Sequence, residues 1–453
     1  MKVALIYPYV RDVYHKLGFL LPPLGLGYLA ATSHSHGHEI EIIDLNLTED
    51  KALPDLRAFD VIGISMDTTR YNRAREIAQA ARKLKKTIVV GGPHATFVEE
   101  ELLKDNVANY VVRGEGELAF LSLLDSLEKS DGANDVAGLS FMKGTRFFST
   151  PERAPLDDLD SLPFPDRDAL QIERYRKLTL GGRHITSMIT SRGCPYNCSF
   201  CSSTKFSGSA WRHRSALNIV DEIEVIVKKY EFGAVCFLDD NFTLNPIRVI
   251  EVCQEILRRS IDIYWWCFSR GDIIIKNEEM VKEMARSGCR YVFMGIESAS
   301  ENTLAQYGKK TRLDDSLMAI ELLKSYGIET MGSFIIGWPD DTKKKIKKTI
   351  ALSKRIGLGG AQFSILTPYP GTELYEKYRD RIFEKNWEKF DCHHSVMSLD
   401  RLNSKTIERY LKLSFFSFYF TPRRILNAIL SPFRGRGVGF ETIKKLWEYF
   451  RGK

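Results

Sequence analysis

The sequence predicts an α/β protein in four parts. A doubly wound, flavodoxin-like (Rossmann-like) sheet spans residues 1–130, and a connector spans 131–182. An open six-stranded (βα)6 partial TIM barrel follows over 183–385, then a short helical extension over 386–453. Short β-branched runs alternate with amphipathic helical runs in two separate series, the pattern of parallel sheets covered by helices. An acidic, proline-bearing stretch interrupts the alternation between them. At 453 residues, the chain also exceeds what one hydrophobic core normally serves.

In the first series, strands are expected at Val3–Tyr7, Glu39–Asp44, Val61–Ser65, Thr87–Val90 and Tyr110–Arg113, with helices between them such as Tyr71–Leu84. A sheet of this kind binds ligands beyond the carboxyl ends of its strands. At those ends stand Ser65-Met66-Asp67, Gly91-Gly92-Pro93-His94 and Gly114-Glu115-Gly116-Glu117, turns rich in small residues where backbone can approach a bulky ligand. The connector contains Asp157-Asp158-Leu159-Asp160-Ser161-Leu162-Pro163-Phe164-Pro165-Asp166. Its prolines restrict their own backbone and that of the residues before them, so an extended, chemically silent wrap is expected.

The second series has strands at Ile185–Ser191, Ala234–Asp239, Tyr264–Ser269, Tyr291–Gly295, Thr330–Ile336 and Ala361–Leu366. Helices are expected at Ala216–Tyr230, Pro246–Arg258, Glu278–Ser287, Asp315–Tyr326 and Thr342–Arg355. Six βα units are too few to close an eight-stranded barrel, so the barrel stays open, and its ligands belong at the strands' carboxyl ends. From Ser404 onward Ile407, Tyr410, Leu411, Phe415, Phe418 and Tyr419 repeat at helical spacing. The last 53 residues hold twelve Lys/Arg against three Asp/Glu. That local charge of +9 exceeds the net +7 of the whole chain, so an anionic partner belongs at this end. Either the aromatics pack on the open barrel, or the segment makes peripheral contact with a membrane surface. No nucleic-acid motif accompanies the basic residues, and no nucleic-acid partner is expected.

A composition of 44% hydrophobic and 27% charged residues excludes a disordered chain. No 18-residue uncharged apolar run is present, and the N-terminus enters a strand at once. A cytoplasmic protein is therefore expected, at most peripheral to the inner membrane surface. Eight cysteines in so long a chain fit a reducing compartment; Cys236, Cys253, Cys267, Cys289 and Cys392 read as buried free thiols.

The remaining three thiols carry the strongest signal. They lie in Thr190-Ser191-Arg192-Gly193-Cys194-Pro195-Tyr196-Asn197-Cys198-Ser199-Phe200-Cys201, directly after the first strand of the second series. Thiolates are the usual ligands of iron–sulfur clusters. This loop supplies three, so a [4Fe–4S] cluster held here keeps one iron open. The other readings are a structural zinc site, which usually needs a second distant ligand pair, or plain buried thiols.

The CxxxCxxC spacing with an aromatic before the last cysteine resembles the radical S-adenosylmethionine (SAM) superfamily, in which SAM chelates the fourth iron. A second resemblance lies upstream. Pro22-Pro23-Leu24-Gly25-Leu26-Gly27-Tyr28-Leu29-Ala30, Gly37-His38-Glu39-Ile40, the Gly91–His94 turn and Gly114–Glu117 together look like the N-terminal cobalamin-binding domain of B12-dependent radical SAM proteins. The Asp-x-His-x-x-Gly motif that supplies a lower histidine to cobalt is absent: Asp12 to Gly18 is one residue too long, and His15 is not assigned. That departure fits the radical SAM subfamily, whose cobalt commonly lacks a histidine ligand. A doubly wound domain with another ligand, or none, is the alternative.

These resemblances imply the site. Cys194, Cys198 and Cys201 would hold the cluster, with Phe200 shielding it and offering backbone to adenine. Asp239 would bind a ribose hydroxyl, the SAM amino group or substrate, or else cap the next helix. Ser269 and Arg270 would take the SAM carboxylate, and Glu297, in Gly295-Ile296-Glu297-Ser298, would contact SAM. Gly337, ending Gly332–Gly337, would lie against adenine. Ser65, Gly91, Gly92, Pro93, His94, Glu115 and Gly116 would line the cobalamin site. No catalytic residue is assigned. The implied chemistry is reductive cleavage of SAM to a 5′-deoxyadenosyl radical, which takes an unactivated hydrogen from substrate, followed by methyl transfer from cobalamin. Oxidative cyclisation or C–C bond formation on a lipid or tetrapyrrole is the alternative reaction, and a non-catalytic cobalamin or redox sensor the alternative class. A small-molecule substrate, lipid or isoprenoid among the candidates, and an electron donor such as ferredoxin or flavodoxin are the implied partners.

Overall fold

The computed structural model describes residues 1–10, 19–48, 52–422, 424–426 and 440–451. The run from Asp12 to Gly18, with His15, lies outside them, as do Arg423, Arg434 and Arg436.

The first sheet contains β1 (Lys2–Tyr7), β2 (Glu39–Asp44), β3 (Val61–Ser65), β4 (Thr87–Gly91), β5 (Tyr110–Val112), β6 (Leu139–Lys143) and β7 (Arg146–Ser149). Its spatial order is β2-β1-β3-β4-β5-β6-β7, parallel as far as β5 and antiparallel beyond it. The order 2-1-3-4-5 is that of flavodoxin-like sheets, whose ligands bind where the order reverses, between β1 and β3. The central strands β1, β3 and β4 are buried on both faces. Ile6, Ile62 and Ile64 pack on Tyr71, Ala74 and Ile77 of the Tyr71–Lys83 helix. Val3 and Leu5 pack on the other side, against Leu24, Leu26 and Phe120.

The β6–β7 hairpin falls in the stretch read as a connector. Its register on β5, with Val111 opposite Ser140, extends the first sheet instead. The later connector is also less passive than its prolines suggest. Arg167 reaches a buried triad in which Glu222 accepts from Arg167 (2.6 Å) and Arg214 (2.5 Å).

The second sheet begins with β8 (Thr179–Leu180) and β9 (Arg183–Met188). After a small antiparallel pair, β10 (Ser191–Arg192) and β11 (Arg212–His213), it continues with β12 (Ala234–Phe237), β13 (Tyr264–Ser269), β14 (Cys289–Glu297), β15 (Glu329–Ile336) and β16 (Gly360–Ile365). The order is β16-β15-β14-β13-β12-β9-β8; the six strands from β9 to β16 run parallel, and the two edges do not meet. Helices at Ala216–Lys228, Pro246–Arg258, Glu278–Arg286 and Leu313–Ser325 cover one face, where Ile219, Val249 and Met280 pack with Val235, Trp265 and Val292. The first strand stops at Met188, short of the Ser191 expected, because Thr190 and Ser191 are drawn off to Asp239.

The extension supplies the helix that β16 would otherwise lack. Helix Ser404–Tyr419 lays Phe415 and Phe418 on Phe363, and the Tyr419 hydroxyl donates to Ala361 O (2.8 Å) while accepting from Ala361 N (2.9 Å). Among the described residues, no helix is long and apolar enough to cross a membrane.

Candidate active site

The cysteine loop is held at its neck. Asp239, just past β12, accepts from Thr190 N (2.6 Å), from the Thr190 hydroxyl and from the Ser191 hydroxyl (2.8 Å), and Arg248 lies 3.6 Å away. Asp239 is buried and spent on this anchor, so it neither faces a cofactor nor caps a helix. Pairing of Ser191 with His213 and of Arg192 with Arg212 closes the loop into a hairpin. Gly193 begins it at φ 83°, where a Cβ would overlap the Ala210 carbonyl oxygen.

Within the loop Cys194, Cys198 and Cys201 are half-buried free thiols. No three His, Cys, Asp or Glu side chains among the described residues are gathered for a single metal ion. The thiols nevertheless sense one another. Burial, then Asp240 and the other two cysteines, raises the pKa of Cys194. Burial raises Cys198, with Lys309 opposing and Cys201 adding to it. Three thiols in one loop, with Lys309 and Arg270 beside Cys198, form a donor set that, once deprotonated, suits an iron–sulfur cluster.

A second loop completes this rim. Ser199 N donates to Tyr307 O (3.2 Å), and Gly308 approaches so closely that a Cβ there would lie 2.8 Å from Asn197 O. The loop delivers Lys309, whose Nζ donates to Glu297 Oε1 at 2.9 Å. Glu297 ends β14 at a bulge with φ 63°, a conformation rarely adopted by side-chain-bearing residues and often retained at functional sites. Gly295 makes room for the pair: a Cβ on it would overlap Glu297 Oε1 and lie 2.6 Å from Lys309 Nζ. Arg270 stacks on the Tyr196 ring, 3.6 Å from its centroid, and bonds Asp272. Ser269 is buried against Thr243 (2.6 Å), away from any open space. The amide of Gly337 donates to Asp341 (2.9 Å), so this glycine serves a turn, with Ile407 and Ile365 filling the space beside it. Phe200 is half-buried and meets Trp338 edge-on at 5.7 Å.

A cavity of about 390 Å³ lies between the two sheets. The carboxyl ends of β1, β3, β4 and β5 form one wall, with Gly63, Ser65, Gly91, Gly92, Pro93, Glu115 and Gly116 among its residues. Ile189, Arg192, Phe206, Leu238 and Asp240, which flank the cysteine loop, form the other. The cavity therefore sits at the switch point of the first sheet. Gly25 has nothing within 4 Å of a Cβ position, and Gly92, at φ 104°, tolerates none because Met66 O would be 2.9 Å away. Walls built from such residues suit a broad, flat macrocycle.

His94 is not on this wall. Its ring is buried between Tyr71 and Trp387, Nδ1 lies 3.1 Å from the Thr68 hydroxyl, and burial lowers its pKa to about 4. Glu115 is on the wall but is an ion-pair partner. It binds Arg212 (2.5 Å) and Arg192 (3.1 Å), while Glu117 binds Arg192 (2.6 Å). Burial opposes ionisation of Glu115, yet the two guanidiniums hold its pKa below the usual range.

Comparison with known proteins agrees with this geometry. The family profile of the radical SAM superfamily matches residues 188–353, and that of the B12 binding domain matches residues 10–124. An uncharacterized methyltransferase of Pyrococcus horikoshii is 35% identical over 441 residues, 95% of each chain. This chain belongs to the radical SAM superfamily. It carries the B12 binding domain ahead of the radical SAM domain. The anaerobic magnesium-protoporphyrin IX monomethyl ester cyclase of Rubrivivax gelatinosus is 27% identical over 463 residues, covering 96% of this chain and 83% of that one. The cobalamin-dependent S-adenosylmethionine radical enzyme OxsB, solved with aqua-cobalamin and S-adenosylmethionine, has the same fold. Its TM-score is 0.76 at 19% identity, covering 100% of this chain and 70% of that one.

In this radical SAM enzyme, several residues that shape the site carried no sequence signal. Lys309 is one lysine among many, and Arg192 and Arg212 acquire meaning only when β10 and β11 pair them beneath Glu115.

Proposed function

We propose that the chain is a cobalamin-dependent C-methyltransferase acting on an unactivated carbon. The observation that carries this reading is the cavity bounded on one side by the B12 binding domain's glycine turns and on the other by residues flanking the cysteine loop. Methyl transfer to a carbon radical needs the corrinoid and the radical source to face one substrate, and a cavity between the two domains meets that need.

Cys194, Cys198 and Cys201 would hold a [4Fe–4S] cluster through their thiolates, and the Ser65, Gly91–Pro93 and Gly116 turns would cradle cobalamin. When bound, these groups supply one-electron cleavage of SAM and a transferable methyl group. The chain's own residues bind and orient. The aminoacyl end of SAM is a zwitterion, and Glu297 and Lys309 offer a carboxylate and an ammonium 2.9 Å apart beside Cys198. Exchanging their mutual pair for the ammonium and carboxylate of SAM keeps every charge compensated in a half-dry site. Phe200, backed by Trp338, would exclude water from the cluster side.

The test is anaerobic turnover of reconstituted protein with cobalamin. The expected products are 5′-deoxyadenosine together with S-adenosylhomocysteine, each lost when Cys194, Cys198 or Cys201 is changed to alanine. 5′-Deoxyadenosine without S-adenosylhomocysteine would favour cyclisation, the activity of the Rubrivivax relative, and failure to retain corrinoid would end the methyltransferase reading.

The electron donor would be a low-potential carrier such as ferredoxin or flavodoxin. The C-terminal end would touch an anionic lipid surface, a reading supported by its +9 charge and by the exposed Leu413, Leu426 and Trp447.

A further inference from the structure

The inner face of the second sheet differs from its outer face, and the difference bears on substrate class. Along β13, Trp265, Cys267 and Ser269 point outward and are buried, whereas Tyr264, Trp266 and Phe268 point inward and stay half-buried. The helices packed on this sheet meet its outer residues, and the inward aromatics of β13 are left half-buried on the concave side.

Strand register stacks the inward residues in levels. At the bottom, Tyr264 is sandwiched between the guanidiniums of Arg183 and Arg290, each 4.0 Å from its ring centroid. One level up, Trp266 stands beside Cys236 and Tyr291, with Glu329 beyond Tyr291. Above them Phe268, Phe293 and Met331 are adjacent, and the two phenyl rings are 4.9 Å apart. Gly295, Ser333 and Gln362 follow, directly below the rim where Glu297 meets Lys309. Charge is thus present at the floor and at the rim. No strand residue at the waist, the level of Phe268, Phe293 and Met331, is charged, whereas the Ser333 level borders the Glu297–Lys309 pair, which comes within 2.6 Å of a Cβ placed on Gly295.

We propose that this waist binds a neutral hydrocarbon body, polycyclic or polyprenyl, as the substrate of the reaction; the inference rests on the methyltransferase reading above. Half-buried aromatic faces and a methionine stabilise hydrocarbon through apolar burial. A phosphate or carboxylate at the same depth would lose its hydration, and the Lys309 ammonium above it is already paired with Glu297. Ser333 can orient one hydroxyl of an otherwise apolar molecule just under the rim.

The test is equilibrium binding to the full-length protein, without turnover. The probes are a pentacyclic triterpene and geranylgeraniol, set against two anionic ligands, protoporphyrin IX and cytidine monophosphate. The neutral probes should bind, and Phe268→Ala should weaken them at least tenfold. Ile247→Ser, on the exposed outer surface, should not. Because Phe268→Ala removes packing, Ser333→Asp provides a second arm: an added negative charge at the upper edge of the waist should cost at least tenfold in affinity while the thermal midpoint stays near wild type. A preference for the triterpene or for the polyprenol identifies which source supplies the hydrocarbon. Binding of either anionic probe as tight as that of the neutral ones, or neutral affinity unmoved by Ser333→Asp, would overturn the assignment. Since no step of catalysis is read, hydrocarbon binding without S-adenosylhomocysteine formation would count against methyl transfer and leave the substrate class standing.

Discussion

Glu297 illustrates how one residue's backbone and its neighbours jointly make a site. Its left-handed φ of 63° costs on the order of 1 kcal/mol for a residue with a Cβ. The bulge in β14 and the Lys309 ion pair hold it there. Gly295 is the enabling position, because any side chain would enter the volume occupied by the carboxylate and ammonium. Gly295→Ala should therefore force the pair apart without touching the thiols. Iron and sulfide content after reconstitution should match wild type, and 5′-deoxyadenosine formation should drop at least tenfold; an unchanged rate would show that the pair does not serve SAM. At this scale the sequence was partly legible. Cys194, Cys198, Cys201 and Glu297 stand in spacings that announce chemistry, and all four lie at one rim. Asp239, His94 and Gly337 also stood at strand ends. Each proved to be satisfied internally, by Thr190, Thr68 and Asp341 respectively, because a strand-end position does not say which way a side chain turns.

Elements were read more reliably than residues, and the exceptions share a cause. Pro246–Arg258 and the β2 and β3 strands fall where hydrophobic period and caps put them, with Asn245 capping the helix as its side chain accepts from Arg248 N at 3.2 Å. The β6–β7 hairpin escaped notice because an edge hairpin needs little hydrophobic alternation; its register is set by β5 across the gap. The C-terminal helix Ser404–Tyr419 reverses the usual order, since its amphipathic period was plain but its docking strand was not. It buries Phe415 and Phe418 against β16 and leaves Leu413 45% exposed, on the same side of the molecule as Trp447, which packs on Phe416 and Phe420. Exposed apolar residues among basic ones favour an anionic interface. The full-length protein should sediment with phosphatidylglycerol vesicles at least fivefold more than with phosphatidylcholine vesicles, and Leu413→Glu should erase most of the difference. Equal recovery from the two vesicle types would refute membrane contact.

For the whole molecule, the relation between the two sheets matters most, because neither half of the proposed chemistry works without the other. The order of domains was legible, but the contact that joins them was not. Arg192 and Arg212 face each other across the β10–β11 pair, an arrangement of like charges that is unfavourable by itself. Glu115 and Glu117, from the turn after β5, enter between them and convert repulsion into a four-residue network with side-chain exposures of 6 to 14%. The neck of the cysteine loop is thus neutralised by the same turn that lines the cavity, which ties loop position to the B12 binding domain. Removing one acid should leave an uncompensated buried guanidinium, a loss of about 3 kcal/mol for Glu115→Ala, read from denaturant midpoints. Replacing both partners with apolar residues of similar length, as in Glu115→Leu with Arg212→Met, should restore most of that stability, since the desolvation of both charges disappears together. Such a pair should not restore turnover: Glu117 and Arg192 remain, but the neck loses its bidentate tether and the cavity wall its fixed edge. A double variant with wild-type stability and wild-type S-adenosylhomocysteine formation would mean that the network stabilises the protein without positioning the loop. Recovered stability with turnover still depressed at least tenfold would assign it the positioning role.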